Sequence, residues 1–362
     1  WNAPHLNGEL SWQMVSRQLR GCARSGLPST LAYSQRGARL RAPRSVALCL
    51  AKRRVVECIS VLSQAMAPHL GPVLAVSAGY QHTCALNAAG QLLCFGRNEE
   101  GQCDVPADLG PVVAVSAGYH HTCVITTTAQ LRCFGANKEY VQNIKPGQVV
   151  NLQQNSHGLC DVPAMLGQTL AVAVDFSHTC AVRADGRLVC FGHPNEGKCD
   201  VPEGIGPVIA VAAGAHHSCA VQIDGQLLCF GRGNEGQCRI PAGLGSVVAV
   251  SAGEDHTCAV KADGKLVCFG EKSEGQCAVP ADLGPVLAVS AGYHYTCAIT
   301  ADRRLVCFGL NKDGQCNVPE ALGPVSAVSS GLHHTCVITA DGDLVCFGRN
   351  RWGQCDVPEE VG

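Results

Sequence analysis

The residue pattern with the most obvious chemical potential is a histidine two places before a cysteine, in the word His-Thr-Cys. It occurs with His82, His121, His178, His217, His256 and His334, and Tyr295 takes the place in one further copy. On an extended strand, residues two apart share a face, so each imidazole lies beside a thiol. Imidazole and thiolate are zinc ligands, and one reading is a metal site. The other reading is that each histidine ties one structural unit to its neighbour by hydrogen bonds. A ligand pair in every copy would form a ring and not a tetrahedral cluster, and Tyr295 interrupts it, so no metal or cofactor is expected. A cysteine nucleophile needs an individual activating environment, whereas these cysteines repeat equivalently. No Ser-His-Asp signature, phosphate loop or dinucleotide motif is present. No catalytic residue is therefore assigned.

The histidine word belongs to a longer period. The Cys of His-Thr-Cys falls at 84, 123, 180, 219, 258, 297 and 336, and a 39-residue spacing is broken once, by 57. The Cys of Cys-Phe-Gly falls at 94, 133, 190, 229, 268, 307 and 346, and a third Cys follows Gly-Gln or its equivalent at 103, 160, 199, 238, 277, 316 and 355. These account for 21 of the 24 cysteines; Cys22, Cys49 and Cys58 are the others. The repeats run 71–109, 110–166, 167–205, 206–244, 245–283, 284–322 and 323–361, within a domain of 66–362. Gly362 would open an eighth copy and the chain begins with Trp1, so a fragment of a longer product is expected, with Met66 as a candidate start.

Each repeat reads as short β-runs separated by turn residues. Val112–Ser116 is a first strand, His121–Ile125 a second and Leu188–Phe191 a third. The Ala184-Asp185-Gly186 word suits a hairpin turn closed by glycine. The Gly-Gln-Cys-x-Val-Pro run reads as a fourth strand ended by proline, which donates no ladder bond. Nothing has helical periodicity. Four short strands per 39 residues, repeated seven times, predict an all-β, seven-bladed β-propeller; an open solenoid is the alternative. The three-residue hairpin loop sets Cys180 opposite Cys190, close enough for a cross-strand disulfide. Buried thiols are the other reading, and reduced cysteines are expected.

The repeated Gly-x-x-His-Thr-Cys-Ala, Asp-Gly and Cys-Phe-Gly-x-Asn-x-x-Gly-Gln resemble the repeat of the regulator of chromosome condensation family, over about four fifths of the chain. That family carries tryptophan where this chain has Phe95, Phe134, Phe191, Phe230, Phe269, Phe308 and Phe347. The resemblance implies a seven-bladed propeller. Members include a nucleotide exchange factor for a small GTPase, propellers fused to HECT ubiquitin ligases, a plant ultraviolet photoreceptor and Crinkly-type receptor ectodomains. The photoreceptor uses a tryptophan cluster, and this array has only Trp352. No HECT or kinase segment is present, and the exchange factor's contact loops find no counterpart. The resemblance thus implies a protein-interaction propeller, alone or as a module of a regulatory protein such as a ubiquitin ligase. An exchange factor or a disulfide-stapled ectodomain is the alternative.

Composition narrows the partners. The 362 residues carry a net charge of −2, 46% hydrophobic residues and only 15% charged ones. Residues 1–65 hold ten Lys/Arg against Glu9 and Glu57, a net of +8, and read as a disordered or mispredicted lead. The remainder has 17 basic and 27 acidic residues, a net of −10, so no nucleic-acid partner is expected. No apolar run reaches membrane-spanning length. The loop before Gly-Gln-Cys is acidic in five copies, at Glu100, Glu196, Glu235, Glu274 and Asp313, and Trp352 stands there in the last. Equivalent loops gather on one side of a disc, so these residues form the candidate partner-binding face. An 18-residue insertion, 140–157, is expected to protrude beside them. The expected partner is a protein with a basic segment, and the propeller is expected to be monomeric. A cytoplasmic or nuclear location is expected, or a secreted one if the cysteines are oxidised. The repeated phenylalanines and histidines are expected to be buried and structural.

Overall fold

The computed structural model describes residues 71–136 and 158–359; the 1–65 lead and the 140–157 insertion lie outside the described residues. The described chain forms seven antiparallel sheets, each of three consecutive strands. In blade 1 these are Val73–Ala78, His82–Asn87 and Leu92–Gly96, and the other blades repeat the order. The first strands line a central shaft, so they are the inner strands; the third are the outer ones. Every inner strand carries a register shift one residue after its start, as between Val73 and Ala75, which adds twist to the blade.

The fourth strand expected from Gly-Gln-Cys-x-Val-Pro does not form. The segment satisfies its own backbone in tight turns instead: Asp104 N–H donates to Gly101 O at 3.1 Å and Val105 N–H to Cys103 O at 3.0 Å. The proline that follows has no N–H to offer. The hairpin between middle and outer strands forms as its turn chemistry predicts. Gly186 sits at φ +82°, and Arg183 and Arg187 pair across the loop. Cys180 therefore lies directly opposite Cys190, and all seven blades repeat that pairing.

One apolar cluster fills each blade–blade interface. The cluster joining Val73, Val76 and Ala78 to Cys336, Ile338 and Leu344 closes blade 7 on blade 1. Val73 N–H also donates to Gly342 O at 3.0 Å, the same bond that links Val112 to Gly90 and Val208 to Gly186. The ring is closed, and the open solenoid is not what forms. Phe134, Phe230 and Phe269 are buried. Phe95, Phe191, Phe308 and Phe347 are only half-buried, a correction to the expectation for all seven.

The expected reduced state of the cysteines is also corrected. Disulfides join Cys84–Cys94, Cys123–Cys133, Cys258–Cys268, Cys297–Cys307 and Cys336–Cys346. In blades 3 and 4 the sulfurs of Cys180 and Cys190, and of Cys219 and Cys229, lie 2.7 and 2.6 Å apart. The third cysteine lies outside these pairs; Cys238 Sγ donates to Arg232 O at 3.1 Å, and burial pushes its thiol up to about 12. Such a thiol is a poor nucleophile.

Candidate functional site: the mouth of the central shaft

Two loops of every blade reach one face of the disc. The inner and middle strands are joined by the Gly-x-x-His word, and the outer strand ends at a glycine opposite that histidine, as Gly96 is opposite His82. The loops are sewn together: Arg97 N–H donates to Gln81 O, Arg232 N–H to His216 O and Glu271 N–H to Asp255 O, at 2.8–3.0 Å. The acidic loops therefore lie on the face where the shaft opens.

The histidines hold this face in register. His82 Nε2 lies 2.9 Å from Thr122 Oγ1 of the next blade, His217 Nε2 2.8 Å from Thr257 Oγ1, and His334 Nε2 2.9 Å from Thr83 Oγ1 across the closure. Tyr295 replaces the bond by donating its hydroxyl to His334 O. Each threonine hydroxyl donates its one proton onward, as Thr257 does to Gln237 O at 2.8 Å. It must therefore accept from the imidazole, which fixes the proton on Nε2. Nδ1 is left without a partner, facing the glycine of its own loop. A methyl group at Gly79 would fall 2.5 Å from Gly118 O and 2.6 Å from the His82 ring, so glycine is required there. Burial holds His82, His121, His256 and His334 neutral, with pKa values pressed down to about 3.

Buried glutamines shape the acidic loops. Gln102, Gln237, Gln276, Gln315 and Gln354 are fully buried, and their Oε1 atoms accept the N–H of Glu100, Glu235, Glu274, Asp313 and Trp352 at 2.9–3.0 Å. The side chains those residues project are largely partnered. Glu196 lies 3.1 Å from His216 Nδ1, Asp313 3.3 Å from His333 Nδ1, Glu274 3.6 Å from Lys312 and Glu235 3.9 Å from Arg232. Trp352 is covered on one side by Arg97, whose guanidinium carbon is 5.4 Å from the ring centroid.

The residues at the centre are ones that the sequence analysis left out: the two variable positions of Gly-x-x-His. The first of them lines the mouth in each blade, as Tyr80, Tyr119, Phe176, Ala215, Glu254, Tyr293 and Leu332, above a cavity of about 120 Å³. Tyr80 and Tyr119 meet at a 38° tilt with centroids 3.6 Å apart, and Phe176 meets Tyr119 edge-on at 4.5 Å. Glu254 takes a hydrogen bond from Tyr293 and lies 3.0 Å from His294 Nε2, which raises the His294 pKa. Asp255 accepts from Gln237 Nε2 at 2.7 Å. One nitrogen of His216 and one oxygen each of Glu254 and Asp255 lie within 4.8 Å of one another. The available signal was that these positions vary inside an otherwise repeated word and carry Tyr80, Tyr119, Phe176 and Tyr293.

The third repeat departs furthest. Asp175 stands where the other blades have the loop glycine, and Lys198 where five have glutamine. Burial pushes the Asp175 carboxyl up to about 8, against the pull of Lys198. Lys198 Nζ donates to Ser177 Oγ at 2.6 Å and Ala215 O at 3.3 Å.

The family profile described as Regulator of chromosome condensation (RCC1) repeat matches residues 73–102, 112–140, 208–237, 247–276, 286–315 and 325–354, leaving out the divergent third repeat. The chain belongs to the RCC1 repeat family. No curated protein sequence matches it. Among solved structures, the entire ectodomain of the Physcomitrella patens receptor kinase CR4 is similar at 22% identity and a TM-score of 0.59, covering 77% of this chain and 74% of that one. The ectodomain of the Arabidopsis thaliana receptor kinase ACR4 is similar at 20% identity and 0.59, covering 77% and 98%. Prp20p from Saccharomyces cerevisiae, described with its binding properties to Gsp1p and histones, is similar at 14% identity and 0.61, covering 72% and 80%. At these identities the likeness is one of fold, the RCC1-type propeller. No helix among the described residues is long and apolar enough to cross a membrane.

Proposed function

We propose that the protein is a non-enzymatic binding propeller whose partner is another protein, docked on the face that carries the mouth of the shaft. One observation carries the reading. Rigid, sevenfold-sewn loops present an irregular set of side chains there, with aromatics and acids in unlike blades. A frame repeated in every blade under differing, partly exposed tips suits recognition, since function is grafted on such folds at their loops. Aromatic groups within a polar rim are frequent interface anchors. A net acidic surround favours a basic segment and a salt-sensitive association rate.

The test is capture of partners from the protein's own source, comparing the parent with the triple variant Glu196→Lys, Glu235→Lys, Glu274→Lys and with Trp352→Ala. Loss of the same partners from both variants, with folding intact, supports the reading. Equal capture by parent and variants at low salt overturns it.

The five disulfides favour a particular setting. Cross-strand disulfides persist in oxidising compartments, which suits an extracellular domain; CR4 and ACR4, similar in fold, are receptor-kinase ectodomains. Thiol counting on protein isolated from its own source tests this: three free thiols per repeat, in place of one, put it in a reducing compartment instead.

A further inference from the structure

The mouth of the shaft is chemically lopsided. Tyr80, Tyr119 and Phe176 form a continuous edge of rings, and Phe176 remains 37% exposed. On the other side of blade 4 stand Glu254 and Asp255. Blade 4 itself contributes Ala215, which carries only a methyl group between Phe176 and Glu254 in ring order. The two carboxylates are held in place by neutral donors, Tyr293 and Gln237. His294 Nε2 lies 3.0 Å from one oxygen of Glu254, Arg232 lies 3.9 Å from Asp255, and a nitrogen of His216 is within 4.8 Å of both carboxylates. Lys198 is turned to Ser177 and Ala215.

The same face shows what such a combination holds. Arg97 stacks 5.4 Å from the centroid of Trp352, while its Nε donates to Glu99 at 2.7 Å and its Nη1 to Gln81 at 3.3 Å. Aromatic face, carboxylate and amide oxygen together bind a guanidinium. At the mouth, ring faces and carboxylates recur, and no guanidinium of the chain is stacked there among the described interactions.

We propose that the mouth of the shaft between Phe176 and Glu254 is a pocket for one arginine side chain of the partner, stacked on Phe176 and paired with Glu254 and Asp255. A planar, delocalised cation suits a ring on one side and two separate carboxylates on the other better than a compact ammonium does. This rests on the protein-binding reading above and names the group that the centre of the face selects.

The experiment uses two probes and needs no partner. Nine-residue Gly/Ser peptides with a single central arginine, or with citrulline as its neutral isostere, are titrated against the full chain by ligand-observed NMR at low salt. The arginine peptide binds at least about tenfold tighter, a difference of about 1.4 kcal/mol. Glu254→Gln and Phe176→Ala each bring it down to the citrulline level. Asp224→Asn, in an exposed hairpin turn at the far end of the strands, leaves it unchanged. Urea midpoints confirm that each variant folds. Equal binding of the two peptides by the parent overturns the inference without any variant. So does undiminished arginine binding by both mouth variants. If the peptides are indistinguishable while the rim variants still lose captured partners, the pocket is refuted and the protein-binding reading stands.

Discussion

Removing one hydroxyl from the histidine–threonine ring tests the account of how the blades are locked. Thr257 is fully buried; its Oγ1 accepts from His217 Nε2 at 2.8 Å and donates to Gln237 O at 2.8 Å. Thr257→Val keeps the shape and deletes both bonds, stranding a buried imidazole N–H and a buried carbonyl. Each stranded group costs about 1–3 kcal/mol, so the variant loses roughly 2–6 kcal/mol. At about 2–4 °C per kcal/mol for a domain of this size, Tm falls by roughly 4–24 °C. Thr257→Ser restores the hydroxyl and loses less than about 1 kcal/mol, since Ser218 already does this work in blade 4, 2.8 Å from His178 Nε2. Urea midpoints and thermal scans of the three proteins under non-reducing conditions provide the measurement. A valine variant within about 0.5 kcal/mol of the parent, or a serine variant as weak as the valine one, refutes the reasoning.

Acid should open the ring. The pKa values of His82, His121, His256 and His334 are lowered by burial, so the unfolded chain takes up protons below about pH 6.5 that the folded ring refuses. Stability is full above that pH and falls on acidification, by roughly 5 kcal/mol per pH unit between 6 and 4 for four such groups; Asp175, raised by burial, works in the opposite sense as a single group. Urea midpoints that stay flat from pH 7 to 5 would contradict this. Phe230→Ala should cost roughly 3 kcal/mol, and truncating half-buried Phe191 clearly less; equal losses would show that outer-strand burial does not grade their contribution. Replacing Cys258 and Cys268 together by alanine should cost about 2–3 kcal/mol, given a separation of 10 residues. A reductant should remove that difference between variant and parent, and a parent whose stability ignores reductant would refute the disulfide contribution.

The family and the seven-blade count were legible because both are repeated local facts. A 39-residue period with β-runs and Asp-Gly turns dictates hairpins, and hairpin geometry alone sets Cys180 opposite Cys190. The fate of Gly-Gln-Cys-x-Val-Pro was not legible. Its apolar run looks like a strand, yet the turn bonds at Gly101 and Cys103 use its donors first. Nor does a period of 39 say which thiols oxidise.

Sequence by itself determined the blade: strand order, hairpin type, the histidine as a structural residue and the side of the disc on which the acidic loops gather. All of these depend on contacts within one repeat, or on equivalence between repeats. Only the tertiary structure decided what depends on contacts between repeats. The partner of each histidine is a hydroxyl of the next blade, 40 residues on or 58 across the insertion, and the last finds its own 251 residues back, at Thr83. The centre of the binding face is decided in the same way. Tyr80, Tyr119, Phe176 and Glu254 lie in different repeats, and each alone is an unremarkable loop residue. Ring closure brings their seven loops to a single opening, and the shared chemistry of the mouth exists only there.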